Sequence, residues 1–110
     1  MLILKRFDLV IFPKNKTFNL KRIIGLPGDT LIFMSEGIII NGKKIVIPQK
    51  IQITFDKKNK LQKNNIEFKV PGNNFFVIGD NLPASIDSRI YGHIFNNIIY
   101  GVSIQQVSGE

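Results

Sequence analysis

Apolar residues in this chain come in short segments, rich in Ile, Val and Phe, that are separated by Gly, Pro and Asn. Segments of this kind are too short for amphipathic helices and are typical of strands joined by turns. The chain is 110 residues long, which is enough for one hydrophobic core, and its 44% hydrophobic and 21% charged residues are typical of a globular protein. We therefore predict a single all-β domain over residues 1–110, with hairpins and Gly-rich corners.

Strand candidates follow one another along the chain. The clearest signal is residues 38–40, then Asn41-Gly42, then residues 43–47, because Asn-Gly supplies the positive φ angles that a tight hairpin turn requires. Residues 51–55 alternate apolar and polar side chains, which predicts a half-buried strand. Further strands are predicted at residues 8–12, 20–25, 30–33, 66–70, 75–78 and 98–107, with one helical turn within residues 85–91.

The residue inventory narrows the possible chemistry. The chain has no Cys, which excludes disulfides, thiolate metal sites and cysteine catalysis. His93 is the single histidine, so a Ser-His-Asp triad or a histidine-rich metal site would have to be built around that one residue. We expect no metal and no other cofactor.

The net charge of +7 raises the question of a polyanionic partner. Much of it falls in one Asn- and Lys-rich stretch with almost no aromatic residues, which is typical of a solvated loop or hairpin face. We therefore expect no nucleic-acid partner. The apolar runs are far shorter than the roughly 20 residues that a membrane-spanning helix needs, so any anchor would lie on sequence outside this chain. The lysines of the basic stretch are Lys57, Lys58, Lys60, Lys63 and Lys69.

The first cluster of chemical interest places paired cations, Lys21 and Arg22, inside an apolar strand that leads into Leu26-Pro27-Gly28-Asp29. Successive side chains of a strand point to opposite faces, so one of the two cations is predicted to point inward. Burial disfavours the ammonium form of a lysine and makes the neutral amine, which is a base, accessible. The alternative is an edge strand on which an exposed lysine guards against aggregation.

The second cluster follows the predicted buried strand at residues 75–78 and is dense in Asp, Ser and Arg. Asp87 and Arg89 can form a charge-assisted pair, while Ser85 and Ser88 can hydrogen-bond to the backbone or to an amine. A capped loop, turned by Asp80 and Asn81, is the alternative interpretation.

Residues 7–12, 21–29 and 79–92 together, in this order, resemble the corresponding motifs of signal peptidase I, the leader peptidases that use a serine-lysine dyad. The resemblance covers nearly the whole chain. It implies a membrane-bound endopeptidase with an all-β catalytic domain on the outer face of the plasma membrane. It also implies substrates that are exported preproteins, cut after small residues in an Ala-x-Ala-like pattern.

The resemblance also implies roles for individual residues. Lys21 matches the general base that deprotonates the nucleophilic serine, and Ser85 matches the residue that holds the lysine amine in place. Asp87 and Arg89 match the supporting salt bridge. The remaining positions that match residues supporting the site are Asp80, Ser88 and Arg22.

The nucleophile itself is not found in this chain. In the family it lies in a Ser-x-x-Pro-like segment before the first strand, and none of the serines here, at positions 35, 85, 88, 103 and 108, has that context. We therefore expect the chain to be the C-terminal part of the catalytic domain, with the nucleophile upstream of Met1 and no activity on its own. Phe7 replaces the glycine that is usual in the family before Asp8. Leu82-Pro83-Ala84 replaces polar residues that often begin with Arg, and this second departure favours the conjugative pilin-processing peptidases, which share the dyad.

Three interpretations remain open on the sequence. The first is an enzyme part, from a truncated, split or excised signal peptidase. The second is a catalytically inactive module that keeps the fold and binds peptides. The third is a relative of the self-cleaving repressors that share the fold, which is weakened by the full match over residues 79–92 and by the missing DNA-binding half.

Overall fold

The computed structural model describes residues 3–55 and 66–102. The strands are β1 (Leu9–Lys14), β2 (Thr17–Gly25), β3 (Thr30–Met34), β4 (Gly37–Ile40), β5 (Lys43–Lys44), β6 (Glu67–Lys69), β7 (Asn74–Ile78), β8 (Ile94–Phe95) and β9 (Gly101–Val102). They form a five-stranded sheet in the order β8-β7-β2-β1-β9 and a four-stranded sheet in the order β5-β4-β3-β6. All strand pairs in both sheets are antiparallel. The all-β prediction is confirmed.

The helical elements are short. Helix α1 spans Ser88–Tyr91, within the predicted helical turn, and a 3-10 turn spans Asn96–Ile98. No helix within residues 3–55 and 66–102 has the length and apolar character that a membrane span requires.

The hairpin of β1 and β2 is longer than predicted. Asn15 and Lys16 have φ angles of 53° and 64°, which make a tight two-residue turn, so β1 continues through Pro13 instead of ending there. Pro13 is tolerated because β9 pairs with β1 only at Val10 and Ile11, so no described strand needs an N–H from it on that edge.

The predicted Asn-Gly hairpin is present. Asn41 and Gly42 have φ angles of 53° and 85°, as such a turn requires. Its second arm is shorter than the predicted residues 43–47. The Ile45 N–H still donates to Ile38 O at 3.0 Å, but β5 itself ends at Lys44.

The strand predicted at residues 51–55 is wrong. Ile51, Ile53 and Phe55 are half-buried and the residues between them exposed, as the alternation requires, yet only Thr54 forms an isolated parallel bridge, to Asn81. An alternating pattern predicts which side of an extended segment faces the core, but it does not predict that another strand pairs with that segment. Of the last predicted strand, residues 98–107, only β9 is seen; residues 103–107 and the lysines at 57, 58, 60 and 63 lie outside the described residues.

The five-stranded sheet carries a hydrophobic core on each face, although Phe18 and Leu20, in the distal half of the β1–β2 hairpin, are exposed. The inter-sheet core lies between the two sheets and contains Ile24, Leu31, Ile38, Ile40, Val70, Phe76, Ile78 and Leu82. The opposite core lies on the other face of the five-stranded sheet and contains Val10, Phe12, Ile23, Phe75, Val77, Ile94 and Ile99. This double burial explains the continuous apolar run in β7. At the end of β2, a Cβ on Gly25 would lie 2.8 Å from both Leu31 Cδ1 and Phe76 Cβ, so glycine allows the two sheets to approach.

Candidate active site

The register of β2 places its two cations on opposite faces of the five-stranded sheet. Lys21 pairs with Val10 and lies on the face of the opposite core, whereas Arg22 pairs with Ile78 and lies on the inter-sheet side. Arg22 is 5% exposed and Lys21 is half-buried. The prediction that one cation points inward is therefore met by Arg22, while Lys21 opens toward the loop that follows β7.

The half-buried Lys21 contacts the hydroxyl of Ser85. Lys21 Nζ lies 3.4 Å from Ser85 Oγ, and the N–H of Gly79 donates to the same oxygen at 3.0 Å. A serine hydroxyl has one donor and two acceptor sites, so after the Gly79 bond it can still accept from an ammonium or donate to a neutral amine. Within the part of the chain that the structure describes, Lys21 forms no ion pair with a carboxylate.

Gly79 is a site residue that the sequence showed only as part of a motif. A Cβ at this position would collide with Ser85 Oγ, would lie 2.7 Å from Ser85 Cβ and would reach within 3.5 Å of Lys21 Nζ. The absence of a side chain at Gly79 is what allows the serine to sit over the end of β7. A glycine directly after a buried strand, with a serine soon after it, is the signal that could have identified it.

Asp87 and Arg89 form a buried ion pair that supports this loop. Asp87 is 0% exposed, and its Oδ1 accepts from Arg89 N at 3.1 Å and from Arg89 Nε at 2.8 Å. Its Oδ2 accepts from Gly79 N at 3.0 Å and from Arg89 Nη2 at 2.9 Å. Both oxygens of the buried carboxylate are therefore hydrogen-bonded, as burial of a charge requires.

The remaining predicted site residues make no hydrogen bond to the Lys21 amine in the part of the chain that the structure describes. Arg22 donates to both carboxylate oxygens of Asp80 at 2.8 Å and to the carbonyl oxygen of Phe7 at 2.7 Å, all on the inter-sheet side. Ser88 is 1% exposed, and its Oγ accepts from the N–H of Val77 at 2.9 Å, which joins α1 to β7. The structure thus brings Lys21, Ser85, Asp87 and Arg89 together around Gly79. Arg22 and Asp80 lie on the inter-sheet side of the five-stranded sheet.

The sequence and the fold of this chain are similar to those of known proteins. Residues 3–107 match the family described as "Signal peptidase, peptidase S26". The chain belongs to the signal peptidase I family. It is 36% identical over 108 residues to signal peptidase I of Bacillus caldolyticus, covering 89% of this chain and 58% of that protein. It is 40% identical over 88 residues to signal peptidase I S of Bacillus subtilis, covering 76% of this chain and 48% of that protein.

The fold is similar to that of a solved family member. The crystal structure of a signal peptidase I from Enterococcus faecalis superposes with a TM-score of 0.72 at 28% identity, covering 94% of this chain and 98% of that one. The suspected family and the all-β class are confirmed by these matches. The chain spans about half the length of the two Bacillus relatives, 58% and 48%.

The departure from the family motif at Phe7 has a structural meaning. Phe7 has a φ angle of 78°, in the left-handed region that glycine adopts without penalty. It occupies the third position of a turn closed by the Asp8 N–H donating to Lys5 O at 3.1 Å. Its own N–H donates to Ile23 O at 2.7 Å, and its ring packs against the inter-sheet core. A glycine would suit this backbone, and the phenyl ring offsets part of the strain by burial.

A second hydrogen-bond network, just after the C-terminal end of β2, was not predicted. Asp29 Oδ2 accepts from Arg6 Nη1 at 2.7 Å and from the N–H of Leu26 at 2.8 Å, and Oδ1 accepts from Asn41 Nδ2 at 2.9 Å. Burial alone would raise the pKa of Asp29, but these hydrogen bonds and the Arg6 charge outweigh it, so the pKa lies below its ordinary value. Asp29 thereby ties the β2–β3 corner to the Asn41-Gly42 turn.

Within residues 3–55 and 66–102, the other candidate groups make no hydrogen bond to the Lys21 amine. Ser35 is exposed in the turn between β3 and β4, and His93 Nδ1 lies 2.9 Å from Asn74 Oδ1. The serines at 103 and 108 lie outside the described residues. Burial, together with the charge of Asp87, raises the pKa of Tyr91 to about 12. Among the residues of the two described ranges, no three His, Cys, Asp or Glu side chains gather as a metal site.

Proposed function

We propose that the chain is part of a serine endopeptidase that removes signal peptides from exported preproteins, with Lys21 as the general base. The observation that supports this most directly is the amine of Lys21, 3.4 Å from Ser85 Oγ and without a carboxylate partner among the described residues. A carboxylate would hold the lysine as an ammonium, whereas a hydroxyl can partner either protonation state.

In this proposal each group has a part in the reaction. Ser85 orients the amine, and Gly79 holds Ser85 through its N–H. A nucleophilic serine hydroxyl placed beside Lys21 gives its proton to Nζ as its oxygen attacks the scissile carbonyl carbon. The protonated lysine then returns the proton to the leaving amine, and a water, deprotonated in the same way, hydrolyses the acyl-enzyme.

Ser85 is not the nucleophile in this proposal. Its oxygen already accepts the Gly79 N–H, and the loop that carries it is held by the buried Asp87–Arg89 pair. We propose instead that the nucleophilic serine comes from a Ser-x-x-Pro-like segment upstream of Met1, beside a membrane anchor. The site then works on the outer face of the membrane, on Ala-x-Ala-like cleavage sites.

Two other proposals use the same site. A conjugative pilin-processing peptidase would share the Lys21 chemistry and differ in its substrate, and Leu82-Pro83-Ala84 is the feature that favours it. A catalytically inactive remnant would keep the fold and bind peptides without cleaving them. Both differ from the main proposal in measurable ways.

The test compares the 110-residue chain with the same chain extended N-terminally by a family-like anchor and Ser-x-x-Pro segment. The substrates are a preprotein with an Ala-x-Ala site and a pilin precursor, both in detergent. We expect cleavage of the preprotein only by the extended form, with a loss of at least about 10³-fold in Lys21→Ala. Lys43→Ala, at an exposed lysine of β5, is the matched control.

The possible outcomes separate the proposals. Cleavage by the unextended chain would place the nucleophile among its own serines. Preference for the pilin precursor would select the second proposal. Binding without cleavage by the extended form would select the inactive remnant.

A further inference from the structure

The loop that carries Ser85 has an apolar anchor. Leu82, three residues before Ser85, is 5% exposed and belongs to the inter-sheet core. Its neighbours Asn81, Pro83 and Ala84 are exposed. A single buried side chain in an otherwise exposed turn fixes how deeply the turn sits.

The backbone on both sides of Leu82 is also held. Its N–H donates to Thr54 O at 3.0 Å, and the Thr54 N–H donates to Asp80 O at 2.8 Å. The carbonyl oxygen of Leu82 accepts from Arg89 Nη2 at 2.9 Å, and the carbonyl oxygen of Ser85 accepts from the same nitrogen at 3.3 Å. The segment around Thr54 and the Arg89 guanidinium therefore hold Leu82 and Ser85 in one rigid unit.

The contact that this unit controls leaves little room for displacement. Lys21 Nζ and Ser85 Oγ are 3.4 Å apart, close to the upper limit for a hydrogen bond. An outward shift of the turn by a fraction of an ångström would break this contact. The Gly79 N–H would keep its bond to Asp87 Oδ2, because the backbone N–H and Nε of Arg89 also hold this carboxylate.

We propose that Leu82 is a positioning residue, whose burial in the inter-sheet core sets the height of Ser85 over Lys21. Its consequence for cleavage rests on the proposed function; its consequence for geometry does not. Leu82 itself touches no reacting atom. It acts through Ser85, and through Ser85 on the amine of Lys21.

The first measurement is amide hydrogen exchange and amide chemical shift in the 110-residue chain, with Leu82→Ala compared to Ile40→Ala. Ile40 is a matched control because it is 5% exposed in the same core but lies in β4. In Leu82→Ala we expect the Gly79 amide to shift and the Ser85 amide to exchange at least about tenfold faster relative to the Ile23 amide, which reports on the sheet. In Ile40→Ala the exchange rates of the Ser85 and Ile23 amides should change by the same factor.

The second measurement is cleavage by the extended form. Leu82→Ala should lower kcat by about 10²-fold, as expected for a misplacement near 1 Å, and Leu82→Met should restore it. Leu82→Val replaces the alanine variant if the latter does not fold. Equal changes at Ser85 and Ile23 in the exchange experiment would overturn the proposal. If the extended form without substitutions cleaves no substrate, the proposed function is overturned. The exchange result would still decide the role of Leu82.

Discussion

The side chain of Ser85 lies directly over Gly79, in the space that a Cβ on Gly79 would occupy. We expect Gly79→Ala to push Ser85 away from Lys21 and to lower cleavage by the extended form about 10²-fold. Kinetic assays of kcat and KM check this, and the loss should appear in kcat. Gly72→Ala is the control, because a Cβ there meets nothing within 4 Å. Equal effects of the two substitutions would contradict the packing described for Gly79.

Asp87 is the buried half of an ion pair, and its removal should destabilise the fold. Asp87→Ala removes the carboxylate that neutralises the Arg89 guanidinium and one of the two acceptors of the Gly79 N–H, so we expect a loss of about 3–5 kcal/mol in the free energy of unfolding. Urea unfolding measures it. Glu67→Ala, at an exposed acid of β6, should change stability by less than about 0.5 kcal/mol.

Phe7 offers a test of backbone strain. At a φ of 78° glycine should be favoured over alanine, so we expect Phe7→Gly to be more stable than Phe7→Ala by about 1 kcal/mol. The order should reverse at Leu9 in β1, where glycine weakens a strand by about 0.5–1 kcal/mol relative to alanine. Thermal unfolding of the four variants measures both differences. If the alanine variant were more stable than the glycine variant at both positions, the Phe7 conformation would not be strained.

Asp29 should make the fold sensitive to acid. Its pKa in the folded state lies below the ordinary value of 3.8, because the hydrogen bonds from Leu26, Arg6 and Asn41 outweigh the effect of burial. Its contribution to stability is therefore fully present above pH 3.8 and is lost as the pH falls through the lower, folded-state pKa. We expect Asp29→Asn to unfold more easily at neutral pH and to show a flatter dependence of unfolding free energy on pH below 3.8. An unchanged slope would contradict the network.

Much of the fold follows from local signals in the sequence. The Asn41-Gly42 turn, the buried run of β7 and the strands before Pro27-Gly28 are each specified by turn chemistry and hydrophobic pattern, and the structure has all of them. The missed features depend on distant partners. The alternation of residues 51–55 is real, but no described strand lies beside them. The β1–β2 hairpin extends through Pro13 because no described strand pairs with its outer edge there.

The site was predictable in composition and less so in orientation. The resemblance identified Lys21, Ser85, Asp87 and Arg89, and the structure brings them together, while their catalytic roles remain predictions. The sequence could not tell which of Lys21 and Arg22 is the more buried, because that depends on the pairing of β2 with β1 and β7. The space at Gly79 and the anchor at Leu82 likewise arise only when separate segments pack together. The prediction of a single domain over residues 1–110 also remains untested.

The opposite orientation of Lys21 and Arg22 makes the site sensitive to chain slippage. Each face of the five-stranded sheet carries a hydrophobic core, and a shift of β2 by one residue exchanges the faces of every side chain in it. A shift that brings Arg22 to the position of Lys21 would place the guanidinium beside Ser85 and move Lys21 to the position of Leu20, on the other face of the sheet. Within β2, an insertion or deletion of one residue between these cations and the Asn15-Lys16 turn would therefore disable the site even if every site residue were retained.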